Sequence, residues 1–366
     1  MEITAAVVRE AGQPFAIEKA RIVEPLGDEV LVRIVGVGLC HTDLIARDQT
    51  LPYPLPAVLG HEGSGIVERV GPRVGKVAPG DHVVLTFASC GQCPTCHDDR
   101  PAYCNDFAMR NFAGLRAAGG SALCSHDGSA LCGGFFGQSS FASYAMASQG
   151  NVVKIESDVP LDIMGPLGCG IQTGAGAVLN ALRPAPGSSI AIFGAGPVGM
   201  AAVLAARVAQ CSSIIVVDLK QSRLDLALEL GATDVVNAAN SDPVAAIRAL
   251  TGGQGAAFSI ECTGAPSVVR QAVDSIRVTG TCGLVGTAPF GAETALDINS
   301  LVLGRTIRGI VEGDSLPDVF IPQLVELWRE GRFPFDRLIR FYQLGEINRA
   351  VEDVKRGHVL KPVLLP

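Results

Sequence analysis

The sequence predicts an α/β protein in two parts: a β-rich part built from both ends of the chain and, between them, a doubly wound parallel sheet. Three observations carry this. Residues 1 to about 170 read as short apolar or alternating runs broken by Gly, Pro and Asp. From 171 to 313, apolar strand-like runs alternate with helical stretches, the pattern of a parallel sheet covered on both faces. Within that stretch Gly194-Ala-Gly196-Pro-Val-Gly199 falls between a strand and a helix. The expected boundaries are 1–170 with 314–366 for the first part and 171–313 for the second. A chain of 366 residues is long enough for two domains.

In the first part, Ala5–Val8, Val30–Val37, Gly65–Val70 and His82–Leu85 are the expected strands. Residues 86–135 read as a long irregular region, and loops this long are uncommon unless functional or stapled. In the second part the expected strands are Ser189–Phe193, Ile214–Val217, Asp234–Val236, Phe258–Glu261, Thr281–Val285 and Thr306–Ile310. Helices fall at Val198–Gln210 and Ser222–Leu230, the latter stopped by Gly231. Asp242-Pro243 reads as an N-cap followed by proline at the first helical position. The last segment carries a helix near Ile321–Glu330 and a closing strand, Val359–Leu365.

Composition narrows the function. Apolar residues make up 48% and charged residues 18%, which favours a large core over disorder. A net charge of -7 argues against a nucleic-acid or anionic-membrane partner. The longest apolar run, Ile190 to Ala206, is broken by glycines and Pro197 and falls short of the roughly 20 residues a spanning helix needs. Eleven cysteines, an odd number, and an N-terminus interrupted by charges point to a thiol-reducing cytoplasm.

Four of those cysteines lie close together: Cys90-Gly-Gln-Cys93-Pro-Thr-Cys96, then Cys104. This spacing suits one tetrahedral ion, and four sulfurs close the site to water, so structural zinc is the reading. An iron–sulfur cluster is the metal alternative and a disulfide framework the non-metal one. At the glycine motif, Gly194 permits the turn, Gly196 lets backbone approach a pyrophosphate, and Gly199 allows helix–strand packing. Asp218 ends the next strand nineteen residues after Gly199, where a ribose-binding acid belongs. That acid would repel a 2′-phosphate, which favours NAD over NADP. Arg223 is either an adenosine-ribose contact or a solvated helix charge. Cys40, His61 and Cys169 each sit near glycine, and two thiolates with one imidazole would leave a fourth metal position open.

The chain resembles the zinc-dependent medium-chain alcohol dehydrogenases over its whole length. The carriers are Gly38-Leu-Cys-His-Thr-Asp43, Gly60-His-Glu-Gly63, the four-cysteine lobe, Gly168-Cys-Gly-Ile-Gln-Thr-Gly174 and Gly194 to Gly199. The resemblance implies a GroES-like catalytic domain and a Rossmann coenzyme domain, with two zinc ions per subunit and NAD. Cys2His is the donor set for which alcohol dehydrogenase is itself the standard example. The resemblance implies Cys40, His61 and Cys169 as catalytic-zinc ligands and Cys90, Cys93, Cys96 and Cys104 as structural-zinc ligands. Glu62 matches an acid beside the metal, a supporting group or transient ligand, and Asp43 a supporting carboxylate. Thr42 looks like the hydroxyl that receives the alcohol proton. Thr173 and Val198 match positions flanking the nicotinamide. Lys361 and His41 match basic positions at the coenzyme phosphates. Many relatives carry a histidine where this chain has Ile45, so His41 is also the candidate for proton exit.

Within the family the chain is most similar to bacterial aryl-alcohol (benzyl alcohol) dehydrogenases, through Phe135-Phe-Gly-Gln-Ser-Ser-Phe141, Gly165 to Gly176 and Gly309-Ile-Val-Glu-Gly313. Phe87, Phe135 and Met109 are the candidate lining of a pocket for a flat ring. Allylic terpenoid alcohols, such as geraniol or perillyl alcohol, fit the same description. Glutathione-dependent formaldehyde oxidation shares both zinc sites but calls for a cationic cluster. A non-catalytic dinucleotide-binding relative would tolerate loss of a ligand. The edge strand near Thr306–Ile310 implies a homodimer or homotetramer.

Overall fold

A computed structural model of the chain describes residues 1–116 and 119–366. By packing of Cα atoms it divides into two units. One comprises Met1–Cys169, Leu316–Leu324 and Asp336–Pro366, the other Gly170–Ser315 and Val325–Phe335.

The first unit is built around the strand Glu29–Gly38, whose residues are buried apart from Arg33 and Val35. It pairs antiparallel with Gly63–Val70, Tyr144–Ser148 and Lys361–Leu365. Register decides what meets at its end. Val37 opposes Gly63, which sets His61 and Glu62 beside Gly38 and Leu39. Gly38 also opposes Val363, so Lys361 arrives opposite Cys40. A second sheet runs in the order Ala57–Val58, Glu2–Val8, Ala16–Ile22, Leu123–Ser125 and Ala130–Leu131. Val7, Val30, Leu31, Leu59, Leu85, Phe135 and Phe141 belong to one apolar core and are all fully buried.

Two stretches carry more order than the sequence suggested. The region 86–135 contains helices Pro94–His97 and Phe107–Phe112 and the hairpin above. Buried Asn111 ties it down, donating to the Ala88 and Phe107 carbonyls and accepting from the Ala88 N–H. The last segment adds a strand, Ile339–Gln343, parallel to Lys361–Leu365, joined to it through the helix Ile347–Arg356.

The second unit is a six-stranded parallel sheet. We number its strands β1 (Ser189–Phe193), β2 (Ser213–Asp218), β3 (Asp234–Asn237), β4 (Ala256–Glu261), β5 (Ile276–Leu284) and β6 (Thr306–Gly309). Their spatial order is 3-2-1-4-5-6, the doubly wound order of a Rossmann domain. The carboxyl ends are in line, Phe193 beside Val217 and Glu261, Glu261 beside Leu284, and Leu284 beside Gly309. Strand β5 starts earlier than expected because a register shift between Ala256 and Phe258 absorbs extra residues. The helix α1 (Gly170–Gly176) precedes the sheet, and α2 (Pro197–Val208) follows β1. Among the described residues, no helix is long and apolar enough to cross a membrane.

Candidate active site

Among the described residues, two clusters of donor atoms lie in the first unit. In one, Cys40, His61, Glu62 and Cys169 bring a ligand atom each within 4.8 Å of one another. Three elements supply them: the start of the short helix His41–Arg47, the turn before Gly63–Val70, and the turn after Gly165–Gly168. That last turn is fixed by Thr86, whose hydroxyl donates to the Gly168 carbonyl at 2.7 Å.

Asp43 organises the first cluster. It is fully buried. One oxygen accepts from the Gly60 N–H (3.1 Å) and meets His61 Nδ1 at 2.9 Å, while the other accepts from the Cys40 N–H at 2.9 Å. His61 Nε2 is buried without a hydrogen-bond partner and belongs to the donor cluster. An orphaned imidazole nitrogen among thiols is costly unless it meets a cation, so this donor set fits a zinc ion. The local charges agree. A hydrogen bond from Cys169, aided by His61 and by Lys361's charge, holds the Cys40 thiol well below its usual range despite burial. Burial works against charging His61, but the charge and hydrogen bond of Asp43 reverse this and raise it.

Lys361 meets a buried acidic partner within the first unit. It is 1% exposed, and its ammonium lies 2.8 Å from both carboxylate oxygens of Glu62. Burial alone would lower its pKa; the charge of Glu62, with that of Cys40, pushes it up instead. The physical reason is charge balance: a carboxylate buried beside thiolates needs a cation. Space for the pair is made by Gly38, where a Cβ would stand 2.0 Å from Glu62 Oε2.

The second cluster is Cys90, Cys93, Cys96 and Cys104. All four are free thiols. Their sulfurs lie 3.5 Å (Cys93–Cys96), 3.8 Å (Cys90–Cys96) and 4.0 Å (Cys93–Cys104) apart. The edge of a zinc–thiolate tetrahedron is about 3.8 Å for bonds of about 2.3 Å, whereas a disulfide would need about 2.05 Å. One ion fits, and this spacing leaves no room for the irons and sulfides of a cluster. A hydrogen bond from Thr95 lowers Cys93 to about 5, whereas burial raises Cys104 to about 12. Four thiolates at neutral pH therefore require the metal's charge.

In the second unit the glycine turn fits a dinucleotide. Gly194 has φ +96, and a Cβ at Gly199 would fall 1.9 Å from the Gly194 carbonyl oxygen. Beside Gly196 there is nothing within 4 Å of the Cβ position, which leaves open backbone at the start of α2 for a pyrophosphate. Asp218 braces the turn, accepting from the Ala195 N–H (2.8 Å) and the Lys220 N–H (2.9 Å). Arg223 Nη1 lies 3.7 Å from Asp218.

Two known protein domains match parts of the chain. Residues 27–157 match the alcohol dehydrogenase GroES-like domain and residues 197–329 the zinc-binding dehydrogenase domain. The chain is 48% identical to geraniol dehydrogenase of Castellaniella defragrans, over 99% of this chain and 97% of that protein. The chain belongs to the zinc-dependent medium-chain alcohol dehydrogenases. The crystal structure of benzyl alcohol dehydrogenase from Acinetobacter calcoaceticus superposes with TM-score 0.96 at 49% identity, covering 100% and 99% of the two chains. That of an alcohol dehydrogenase zinc-binding domain protein from Burkholderia ambifaria superposes with TM-score 0.98 at 57% identity, again covering 100% and 99%. Zinc and NAD are the cofactors of this family, and the donor sets above suit both.

For an alcohol dehydrogenase, the surroundings of His61 bear on substrate. Phe136 stacks on its imidazole at 4.4 Å, and Phe135 meets it edge-on at 5.4 Å. Phe112 adjoins both rings, Phe107 adjoins Phe112, and Phe87 adjoins Phe107. Phe87 and Phe135 thus belong to one aromatic cluster. Met109 is 67% exposed and lines a cavity of about 420 Å³ with Glu29 and Arg116. On a helix two residues turn through about 200°, so Met109 faces away from the side of Phe107. Thr42 Oγ1 lies 3.7 Å from Cys40 Sγ, His41 is exposed, and Ile45 is half-buried. In the second unit Thr173 and Val198 are half-buried.

Sequence reasoning missed three supports. Phe136 was read only as part of a motif. Gln138 donates to the His61 carbonyl (2.9 Å) and accepts from the Gly63 N–H (3.2 Å). The Glu62–Lys361 ion pair was not anticipated. The Phe-Phe-Gly-Gln run carried the signal for the first two; only strand register reveals the third.

Proposed function

We propose that this alcohol dehydrogenase oxidises primary aromatic, benzyl-type alcohols to aldehydes, reversibly, with NAD as hydride acceptor. The observation that carries the reading is the aromatic cluster around His61, from Phe136 and Phe135 through Phe112 to Phe87. Flat rings pack well against such side chains. The first unit serves as the catalytic domain and the second as the coenzyme domain.

When bound, zinc supplies a Lewis acid that makes an alcohol acidic near neutral pH, and NAD supplies the hydride acceptor. The chain does the rest. Cys40, His61 and Cys169 hold the metal, and Asp43 fixes the His61 ring. Thr42 receives the alcohol's proton in a hydrogen bond, and His41, exposed one residue away, is the nearest titratable exit in place of aliphatic Ile45. Glu62, held by Lys361, keeps the charge beside the metal balanced. Cys90, Cys93, Cys96 and Cys104 hold the structural ion. The α2 N-terminus with Gly194, Gly196 and Gly199 cradles the pyrophosphate. Asp218 binds the adenosine ribose with Arg223 beside it and disfavours NADP. Thr173 and Val198 flank the nicotinamide.

The second reading is oxidation of allylic terpenoid alcohols, favoured by the 48% identity to geraniol dehydrogenase. Pocket contacts shift preference by only about 1–3 kcal/mol per methylene, so a panel decides. NADH formation at 340 nm would be followed with benzyl, cinnamyl, geranyl and perillyl alcohols and ethanol. High kcat/KM for the aromatic alcohols supports the proposal; preference for terpenoids transfers it to the second reading. A requirement for glutathione would defeat both. We also propose a cytoplasmic homodimer or homotetramer formed through the sheet edge at β6, where Val302 and Leu303 are exposed. A monomer on gel filtration would defeat that assembly.

A further inference from the structure

Glu312 places a carboxylate in the coenzyme domain that the proposed function leaves unused. It lies three residues past the end of β6 and is only 8% exposed. Its Oε2 accepts from the Thr173 hydroxyl at 3.2 Å and from the Gln172 amide at 3.5 Å. The turn that carries it is pinned onto α1. A Cβ at Gly313 would stand 2.4 Å from the Gln172 carbonyl oxygen, and one at Gly176 2.2 Å from that of Gly313. Glu312 itself holds φ +48, a conformation non-glycine residues seldom adopt. The packing fixes the carboxylate in one place.

That place is at the coenzyme crevice. Ligands of doubly wound sheets bind beyond the carboxyl ends of the strands, one half of a dinucleotide over each half of the sheet. Here the glycine turn follows β1 and Asp218 ends β2, which assigns the adenosine half to β1–β3. The nicotinamide half is left with β4–β6, and Glu312 follows β6. Thr173 links it to the glycine turn: α1 lies flush on the first turn of α2, where a Cβ at Gly174 would meet the Val198 carbonyl oxygen at 1.9 Å.

The nicotinamide ring carries a positive charge in NAD+ and none in NADH, the rest of the molecule being the same. The transferred hydride brings the electron pair that removes that charge. A fixed carboxylate nearby therefore acts on the two forms unequally. We propose that Glu312 tunes the coenzyme couple, its carboxylate favouring the cationic nicotinamide of NAD+ over the neutral ring of NADH. Thr173 and Gln172 orient the carboxylate, each through a neutral donor. The consequence is easier departure of NADH, and product release limits turnover in many enzymes.

The inference rests on NAD as coenzyme, and its test needs no turnover. Dissociation constants for NAD+ and NADH would be measured by calorimetry on zinc-loaded protein without alcohol, for wild type, Glu312→Gln and Glu312→Asp. In Glu312→Gln the ratio Kd(NAD+)/Kd(NADH) should rise roughly 10- to 30-fold, the lower part of what an adjacent charge produces. Glu312→Asp keeps the charge and should hold the ratio within about threefold of wild type. Stopped-flow release of NADH should slow in the neutral variant. A purely structural role would weaken both forms alike, and an unchanged ratio overturns the proposal. Should Glu312→Gln not fold, the second neutral variant, Glu312→Ser, must show the same shift or the proposal fails. If wild type binds neither dinucleotide, the NAD assignment itself fails; if it binds both and the ratio stays put, only the role of Glu312 does.

Discussion

Asp43 is fully buried, and three groups around the proposed catalytic zinc depend on it. It fixes the Cys40 backbone, the Gly60 backbone and the His61 ring at once. Partners of this kind typically contribute 10–100-fold to metal affinity. Asp43→Asn should therefore lose one zinc per chain to a chelator at concentrations the wild type resists, while the four-cysteine ion stays. Retention of both ions by the variant would refute that role. Gly38 makes a complementary prediction. With Glu62 Oε2 2.0 Å from its Cβ position, Gly38→Ala must displace a buried ion pair. We expect kcat/KM to fall by more than about tenfold and Tm by several degrees, since a disturbed buried charge costs about 3–5 kcal/mol. Wild-type values for both would show that the pair relaxes freely.

Single elements carry separable functions. The lobe of residues 90–104 has few apolar side chains facing inward: Ala102 and Cys104 are its buried members. Its order must come from the metal. In Cys90→Ser, limited proteolysis should cut within this lobe, and the protein should hold one zinc. A protease-resistant lobe would mean that the surrounding packing suffices. The end of β2 is equally separable. Asp218→Asn should weaken NAD binding on the order of tenfold, as loss of a hydrogen bond to a charged group does, and should raise the relative use of NADP. Equal discrimination in the variant would assign coenzyme choice elsewhere.

Legibility followed distance along the chain. The zinc donors and the glycine turn were readable because each is a short motif whose chemistry sets its own spacing. The strand His82–Leu85 and the Asp242 cap lie where the sequence put them, since apolar runs and caps are local signals. The helix Ile347–Arg356 was missed although Ile347, Ala350 and Val351 give it an inward face; its charged remainder hid that stripe. Strand β5 was shortened in the reading because nothing local announces a register shift. The exposure of Met109 and the pairing of Lys361 with Glu62 were not legible for one reason: facing and partnership depend on how an element is rotated or registered.

At the scale of the molecule, the pair Glu62–Lys361 joins residues 299 apart in sequence. Breaking it from one side should be worse than removing it from both. Glu62→Gln and Lys361→Met should each destabilise by about 3–5 kcal/mol, and the double variant by distinctly less, because the single changes strand a buried charge. Additive losses in denaturant unfolding would show that the two residues act independently.

The long span of that pair also bears on synthesis. The whole coenzyme domain is made between the strand ending at Gly38 and the strand beginning at Lys361. At about 5–20 residues per second, the cysteines, histidine and carboxylate around the catalytic centre wait tens of seconds for their cation. Until then Glu62 lacks the buried cation that Lys361 supplies in the finished fold.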